Sequence, residues 1–390
     1  MRSTGSKNAK YKVAVIGCGS HGTRLARAFD LNPLTEVVVG VNRGQEGLDL
    51  FCKRFNARGY NDYKEMLKKE KFDIALLGLP VNINAEVVVA CANKPGVKGI
   101  MSEKPVAVSL AEADAAVQAC EKAGIPWSAG DMFRNSPEIW SARRLVEAGE
   151  IGEIETINVY GAGGNQMSGQ GCRQLTELFM FAKDAELDWA VGSVGGDPAD
   201  REIGRIDQWS DNDQDIQFGF VQFKNGPTAH IHKNTVIKDG VEVIGTKGSI
   251  YINQNRVGGV WHAEGRKTQM AGSFFPYPDT ANVSLLTNYD SEGWEVQRTR
   301  LTESVDAFVE SVDKGVPSKC SGNDLRKALE LAIGIRESHR RGITPVKFPL
   351  EDRSLKIIPS ARRMVGRRIS ESTDSFLKSI KNHKKEVVAK

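Results

Sequence analysis

Short apolar runs alternate with amphipathic stretches along the first third of the chain. Tyr11–Ile16, Glu36–Val41, Asp73–Leu79 and Val97–Met101 are rich in Val and Ile, as strands buried on both faces of a parallel sheet must be. Between them, Gly22–Asp30, Glu46–Phe55, Tyr63–Glu70 and Ala85–Asn93 read as helices. Leu110–Ala123 is a further helix, with Ser109 as N-cap and Gly124 and Pro126 as stops. Ile125–Asp131 is the last strand of this region. Strand and helix in alternation predict βαβ units and a doubly wound parallel sheet.

The period changes after a helix at Ser136–Gly149. Ile154–Tyr160, Asp215–Phe223, Pro227–Asn234, Val241–Ile244 and Gly248–Asn253 alternate apolar and polar positions. That is the pattern of a large, open, mostly antiparallel sheet with one wet face. The helices Arg173–Lys183, Leu301–Lys314 and Asn323–Arg341 accompany it, making an α+β unit. The boundary falls near Phe133. The expected division is a first domain over 11–133, a second over 134–352 and a tail over 353–390.

Length and composition agree with two globular domains. The chain has 390 residues, 40% of them hydrophobic and 26% charged, which excludes a disordered, collagen-like or disulfide-scaffold protein. No apolar run approaches the ~18–20 residues of a membrane span, so no membrane partner is expected. The polar start MRSTGSKNAK and six cysteines without a CxxC pair lead to an expectation of a cytoplasmic protein with free, mostly buried thiols. The net charge is +4. From Arg353 onward eleven Lys/Arg face three Asp/Glu, a surplus of eight that leaves the body at −4. A mildly acidic body with a basic tail is not the footprint of a nucleic-acid binder, and the tail reads as a solvated segment.

Gly17-Cys18-Gly19-Ser20-His21-Gly22 is a G-x-G-x-x-G that follows the first strand and opens the first helix. In that setting Gly17 allows the turn, Gly19 lets a pyrophosphate reach the backbone, and Gly22 brings helix and strand together. Ser20 and His21 lie in the same loop. The helix N-terminus offers free N–H groups to phosphates. The second strand ends in Asn42-Arg43 where an NAD site carries an acid for the ribose hydroxyls. Asn42 can bond a hydroxyl without repelling a 2′-phosphate, and Arg43 can fork onto that phosphate. The cofactor reading is therefore NAD(P), leaning to NADP, with a solvated loop arginine as the other reading of Arg43.

Further segments join the fingerprint: Leu79-Pro80, Glu103-Lys104-Pro105, Phe133-Arg134-Asn135-Ser136-Pro137, Val243–Gly248 and the helix Ser304–Asp313. Together they resemble the Gfo/Idh/MocA oxidoreductase family, which includes glucose–fructose oxidoreductase and inositol dehydrogenase. The resemblance implies a Rossmann domain followed by an open-sheet domain through which members oligomerise, here as a homodimer or homotetramer. It implies a small sugar-like substrate and cofactor contacts from Leu79, Pro80, Asn82 and Glu103. It places Lys104 beside the reacting C–OH, with Lys104–Pro105 as a cis peptide. A lysine beside a nicotinamide can carry the proton.

The chain also departs from that family. An Asp-x-Gly-x-His run aligns with Gly169-Gln170-Gly171-Cys172-Arg173, so that Gly169 replaces the Asp and Arg173 the His. Asn84 stands where another His often follows Pro80. Arginine is a poor base but can hold an anion or polarise a carbonyl. Arg173 thus reads either as a substrate-orienting catalytic residue or as a helix-start arginine facing solvent. His230 and His232 share a strand face and read as part of an assembly surface. No His/Cys/Asp cluster has metal-ligand spacing. The leading expectation is hydride transfer between NAD(P) and a CH–OH or C=O group of a sugar, cyclitol or sugar acid. Redox-assisted glycoside cleavage with tightly bound NAD(H), and a catalytically impaired nucleotide-binding partner subunit, are the alternatives.

Overall fold

A computed structural model describes residues 9–129, 134–135, 137–161, 172–183, 185–195, 216–224, 226–233, 240–253, 258–264, 267–273 and 291–357. The first domain begins with β1 (Tyr11–Ile16), α1 (Ser20–Leu31), β2 (Thr35–Val41), α2 (Gln45–Phe55) and β3 (Arg58–Tyr60). It continues with α3 (Tyr63–Lys69), β4 (Ile74–Leu77), α4 (Val81–Ala92), β5 (Gly99–Ser102), α5 (Leu110–Ala123) and β6 (Trp127–Ala129). The six strands pair in parallel in the order β3-β2-β1-β4-β5-β6. This is the doubly wound dinucleotide order, and its direction of winding reverses between β1 and β4.

Local chemistry explains the boundaries. α5 begins at a capping box in which Ser109 accepts from the Glu112 N–H while Glu112 accepts from the Ser109 N–H. It ends at Gly124 in the left-handed region (φ 65°). α4 starts at Val81, four residues before the expected start at Ala85. Val81, Asn84, Ala85 and Val88 are among its buried positions, so a polar residue on the inner face disguises the helical period.

The second domain contains α6 (Pro137–Glu147), β7 (Ile154–Tyr160), α7 (Cys172–Phe181), β8 (Leu187–Val194), β9 (Ile216–Phe223) and β10 (Thr228–His232). Then come β11 (Gly240–Gly245), β12 (Gly248–Ile252), β13 (Gly258–Glu264), β14 (Lys267–Ser273), α8 (Ser291–Lys314), α9 (Gly322–Arg340) and β15 (Val346–Lys347). Nine strands form one sheet in the order β14-β13-β12-β11-β7-β10-β9-β8-β15. Its pairings are antiparallel except β7 with β10. Ile157, Val159, Val221, Ile231, Val243 and Ile250 point inward and are buried. α9 seals part of this inner face: the Ser338 hydroxyl accepts from the Gly192 N–H (3.1 Å), and a Cβ on Gly334 would strike the Phe348 ring.

The outer face carries half-buried aromatics. Trp189 packs on Phe220, Phe220 on His230, and His232 on Tyr160. His230 and His232 do share this face, with ring centroids 6.3 Å apart.

α8 crosses between the domains. Leu301, Val305, Phe308 and Val309 are buried in one cluster with Val13, Val15, Phe29, Ile74 and Leu76 of the first domain. Phe308 meets Phe29 edge-on at 6.1 Å. This helix, within the stretch assigned to the second domain by sequence, closes one side of the first sheet. Five of the six free cysteines are buried and Cys52 is partly so. Among the described residues no helix is long and apolar enough to cross a membrane.

Candidate functional site

The carboxyl ends of β1, β4 and β5 lie side by side, and the loops that leave them carry most of the predicted site. Gly17 follows β1 with φ +94°, a region that favours glycine. A Cβ on Gly22 would lie 2.0 Å from the Gly17 oxygen, and one on Gly78 would lie 2.7 Å from both that oxygen and the Gly22 Cα. Three backbones therefore meet at contact distance. Gly78 was not singled out from the sequence, although its place directly after the IALL strand was the available signal.

Gly19 is the N-cap of α1. No side chain caps this helix and its first turn holds no acid, so the orphan N–H groups at its start meet no competing carboxylate there. Ser20 is its first residue. Cys18 lies beneath the loop, its thiol donating to the Val41 oxygen (3.4 Å). Burial pushes that thiol far above its ordinary pKa, so Cys18 is a neutral packing group. This loop fits a dinucleotide pyrophosphate: the backbones are close, the helix end has no side-chain cap and its first turn holds no acid.

Leu79 and Pro80 follow β4, with Pro80 the N-cap of α4 and Asn82 exposed in its first turn. That turn also lacks an acid and a side-chain cap. Asn42 and Arg43 follow β2. The Asn42 amide donates to the Gly44 oxygen (3.0 Å), shaping the turn, and Arg43 is exposed beside it.

Glu103 and Lys104 follow β5. The Glu103 N–H donates to the Leu77 oxygen (3.0 Å), tying this loop to the neighbouring strand. The Lys104–Pro105 peptide is cis. Glu103 Oε1 lies 3.8 Å from Nδ1 of His21, which brings the phosphate loop and the Glu103-Lys104-Pro105 loop together across the switch point. Asn84 faces the interior, and its amide donates to the Val106 oxygen (3.0 Å). It holds the loop after Pro105 from behind.

Arg173 belongs to a different element. It is the second residue of α7, all ten of whose residues are buried, and its side chain is among the largest that are fully buried. The solvent-facing reading is therefore corrected: α7 is an interior helix between the nine-stranded sheet and α9. Residues 169–171 of the aligned run lie outside the described residues.

Glu177 stands one turn after Arg173, on the same face by helical spacing, and is also buried. Sequence reasoning passed over it because it lies inside the apolar stretch LTELFMF. Arg134, at the junction between the domains, ties α7 to the start of α9. It donates to the Thr176 oxygen (2.7 Å) and the Lys319 oxygen (3.2 Å) and pairs with Asp324 (3.2 Å). The chain reaches Arg134 from β6, whose Ala129 is in register with Ser102 of β5. No group of three or more His, Cys, Asp or Glu able to hold a metal is found among the described residues.

Residues 11–130 match the family described as "Oxidoreductase family, NAD-binding Rossmann fold", Gfo/Idh/MocA. Beyond that domain, myo-inositol 2-dehydrogenase of Thermotoga maritima is 24% identical over 347 residues, 84% of this chain and 96% of the relative. Residues 11–130 thus form the nucleotide-binding domain of the Gfo/Idh/MocA oxidoreductase family, and the chain resembles that family beyond it. Two solved structures share the fold over most of this chain. An oxidoreductase from Agrobacterium radiobacter in complex with NAD+, L-tartaric acid and magnesium superposes with a TM-score of 0.67, at 19% identity, over 87% of this chain and 98% of that one. The WlbA dehydrogenase from Bordetella pertussis, in complex with NADH and UDP-GlcNAcA, gives 0.66 at 17% identity over 88% and 99%. The expected two-part fold, a Rossmann sheet followed by a mostly antiparallel one, is thus present and is shared with these structures.

Proposed function

We propose that this protein is an NAD(P)-dependent dehydrogenase acting on a secondary CH–OH group, or its ketone, of a sugar, cyclitol or sugar acid. The observation that carries this reading is the convergence at one sheet edge of an uncapped glycine loop and the Glu103-Lys104 pair, joined through His21. A bound nicotinamide supplies the hydride acceptor or donor. The glycine loop holds the pyrophosphate by backbone N–H groups, while Leu79, Pro80 and Asn82 flank the cofactor cleft. Lys104 takes the proton from the substrate hydroxyl, or returns it to a carbonyl oxygen, and Glu103 fixes the loop beside it.

Two finer readings concern specificity. The site with Asn42 and Arg43, lacking the usual acid at the end of β2, admits a 2′-phosphate, which favours NADP. In α7 the family's proton-transferring His is replaced by a buried cation. A buried guanidinium asks for anionic or carbonyl acceptors, so we assign Arg173 to orienting a substrate that bears a carboxylate or a polarisable carbonyl. L-Tartaric acid, named with the Agrobacterium neighbour, is of that chemical class. The half-buried aromatic face of the nine-stranded sheet supports assembly as a homo-oligomer.

The test follows NAD(P)H at 340 nm against a panel of neutral and acidic sugars and cyclitols. Stoichiometric consumption of one dinucleotide per product is expected. Lys104→Met should lower turnover by about 10²–10⁴ while dinucleotide affinity changes only a few-fold. Product formed without net cofactor change would replace this reading by an internal redox cycle. Turnover near wild type in Lys104→Met would assign the proton to another group.

A further inference from the structure

The chain does not leave the molecule after β15. Residues 350–357 run back to the first domain and pair with the residues that follow Lys104–Pro105. The Ala111 N–H donates to the Arg353 oxygen (2.8 Å), the Leu110 N–H to the Leu355 oxygen (3.1 Å) and the Ile357 N–H to the Val108 oxygen (3.0 Å). Ser109 and Lys356 form an antiparallel bridge. The first five residues of the stretch read as a solvated tail are thus an integral strap. The remainder lies outside the described residues.

Arg353 anchors the strap. Its Nε donates to Asp114 Oδ2 (2.7 Å) and its Nη2 to Asp114 Oδ1 (2.9 Å), a two-pronged fork onto α5. Its Nη1 donates to Glu330 Oε1 on α9 and to the Leu350 oxygen (3.1 Å). Arg326 of α9 spans the same two carboxylates, at 2.8 Å from Asp114 and 2.9 Å from Glu330. Glu330, which is buried, also accepts from the Leu350 N–H (3.0 Å). Two guanidinium groups and two carboxylates close a set that joins one helix of each domain to the strap.

We propose that this strap positions the Lys104 loop, with Arg353 as the positioning residue; the proposal rests on the reading of Lys104 as the proton carrier. The loop from Glu103 to Ser109 has no regular structure of its own. Its near end is held by the Glu103–Leu77 hydrogen bond and its middle by Asn84. Beyond that, its far end is fixed by the Ser109–Glu112 box and by the strap. Proton and hydride transfer require the lysine and the nicotinamide in one geometry to within a fraction of an ångström. The strap stops the far end of the loop, and the start of α5, from drifting against that geometry. The same charge cluster fixes α5 against α9, and so the cofactor edge against the helix layer that contains Arg173. A lysine at 353 can satisfy one carboxylate but cannot reproduce the planar fork and the third contact.

The experiment compares full-length wild type, Arg353→Lys and Arg353→Gln, each saturated with NADH. Two quantities are read by peptide mass spectrometry. One is the pH profile of Lys104 modification by trinitrobenzenesulfonate. The other is amide hydrogen exchange over residues 108–111. In Arg353→Gln, exchange at Leu110 and Ala111 should rise about tenfold, and the midpoint of the Lys104 profile should move by about half a pH unit or more. Arg353→Lys should fall between the two, and NADH affinity should stay within about twofold because the glycine loop is untouched. A Lys104 profile that superposes on wild type, whatever happens to melting temperature or exchange, would overturn the proposal and leave the strap a purely structural tie. If Arg353→Gln does not fold, Arg353→Lys decides on the same criterion. An active Lys104→Met would remove the proton-carrier reading alone, since the profile shift is read without turnover.

Discussion

Gly22 and Gly17 touch: a Cβ placed on Gly22 would lie 2.0 Å from the Gly17 carbonyl oxygen. The obstacle is backbone, which cannot swing aside as a flexible side chain would. Gly22→Ala must therefore push α1 away from β1 or distort the loop. The expected outcome is a loss of stability of about 1–3 kcal/mol or more together with loss of NADH binding. Fluorescence titration with NADH, alongside urea unfolding, checks both. Retained affinity would show that the glycine trio is not the pyrophosphate cradle.

Arg43 bears on the choice of dinucleotide. Arg43→Ala should weaken NADPH binding about tenfold to a hundredfold, the loss of a fork worth roughly 1.5–3 kcal/mol, and leave NADH nearly unchanged. Parallel titrations with the two cofactors measure this directly. Equal losses would mean that Arg43 does not read the 2′-phosphate.

Arg173 and Glu177 place opposite charges on one face of an interior helix. Arg173→Lys should lower kcat/KM for acidic sugars about tenfold, with a smaller effect on neutral ones. Glu177→Gln removes a buried negative charge one helical turn from Arg173, and should lower KM for acidic substrates relative to neutral ones. Steady-state kinetics on paired substrates give these ratios. An unchanged ratio in Arg173→Ala would reduce the arginine to a packing role.

Asp114 gives the fold an acid-sensitive joint. Burial alone would raise its pKa, but hydrogen bonds from Arg353 and Arg326 outweigh burial and hold the carboxyl below its ordinary value. A carboxyl depressed in the folded state adds stability that is complete above about pH 4, its unfolded range, and is lost as pH falls through the folded value. Asp114→Asn should lower the melting temperature at pH 7 by on the order of 5 °C and flatten its fall between pH 5 and 3. Parallel melting curves for the two proteins across that range would contradict this.

How much of this was legible in the sequence varied with the range of the interactions. β1, β7 and α5 begin and end at the residues expected from their pattern, because alternation, capping residues and glycine stops are local signals. β3 and β15 escaped, being three and two residues long. β8 escaped because Asp188, Gly192 and Ser193 interrupt its apolar run. The glycine loop could be read because its geometry is dictated by adjacent residues. The depth of Arg173 could not, since a helix start looks alike whether it faces water or a sheet. Arg353 was read as part of a tail for the same reason: its partner Asp114 is 239 positions away, beyond any local pattern.

The reach of α8 has a consequence for how the chain can be made. One side of the first sheet, including Val13, Val15, Ile74 and Leu76, is covered by Leu301, Val305, Phe308 and Val309. On the ribosome, the nucleotide-binding half is complete in strands long before its own lid is synthesised. Until then that apolar flank must be sheltered by a chaperone or by loose collapse. A gene fragment ending at the sequence boundary near residue 133 would encode every strand of the first domain and still lack part of its core. The two domains are therefore separate in layout but interdependent in birth.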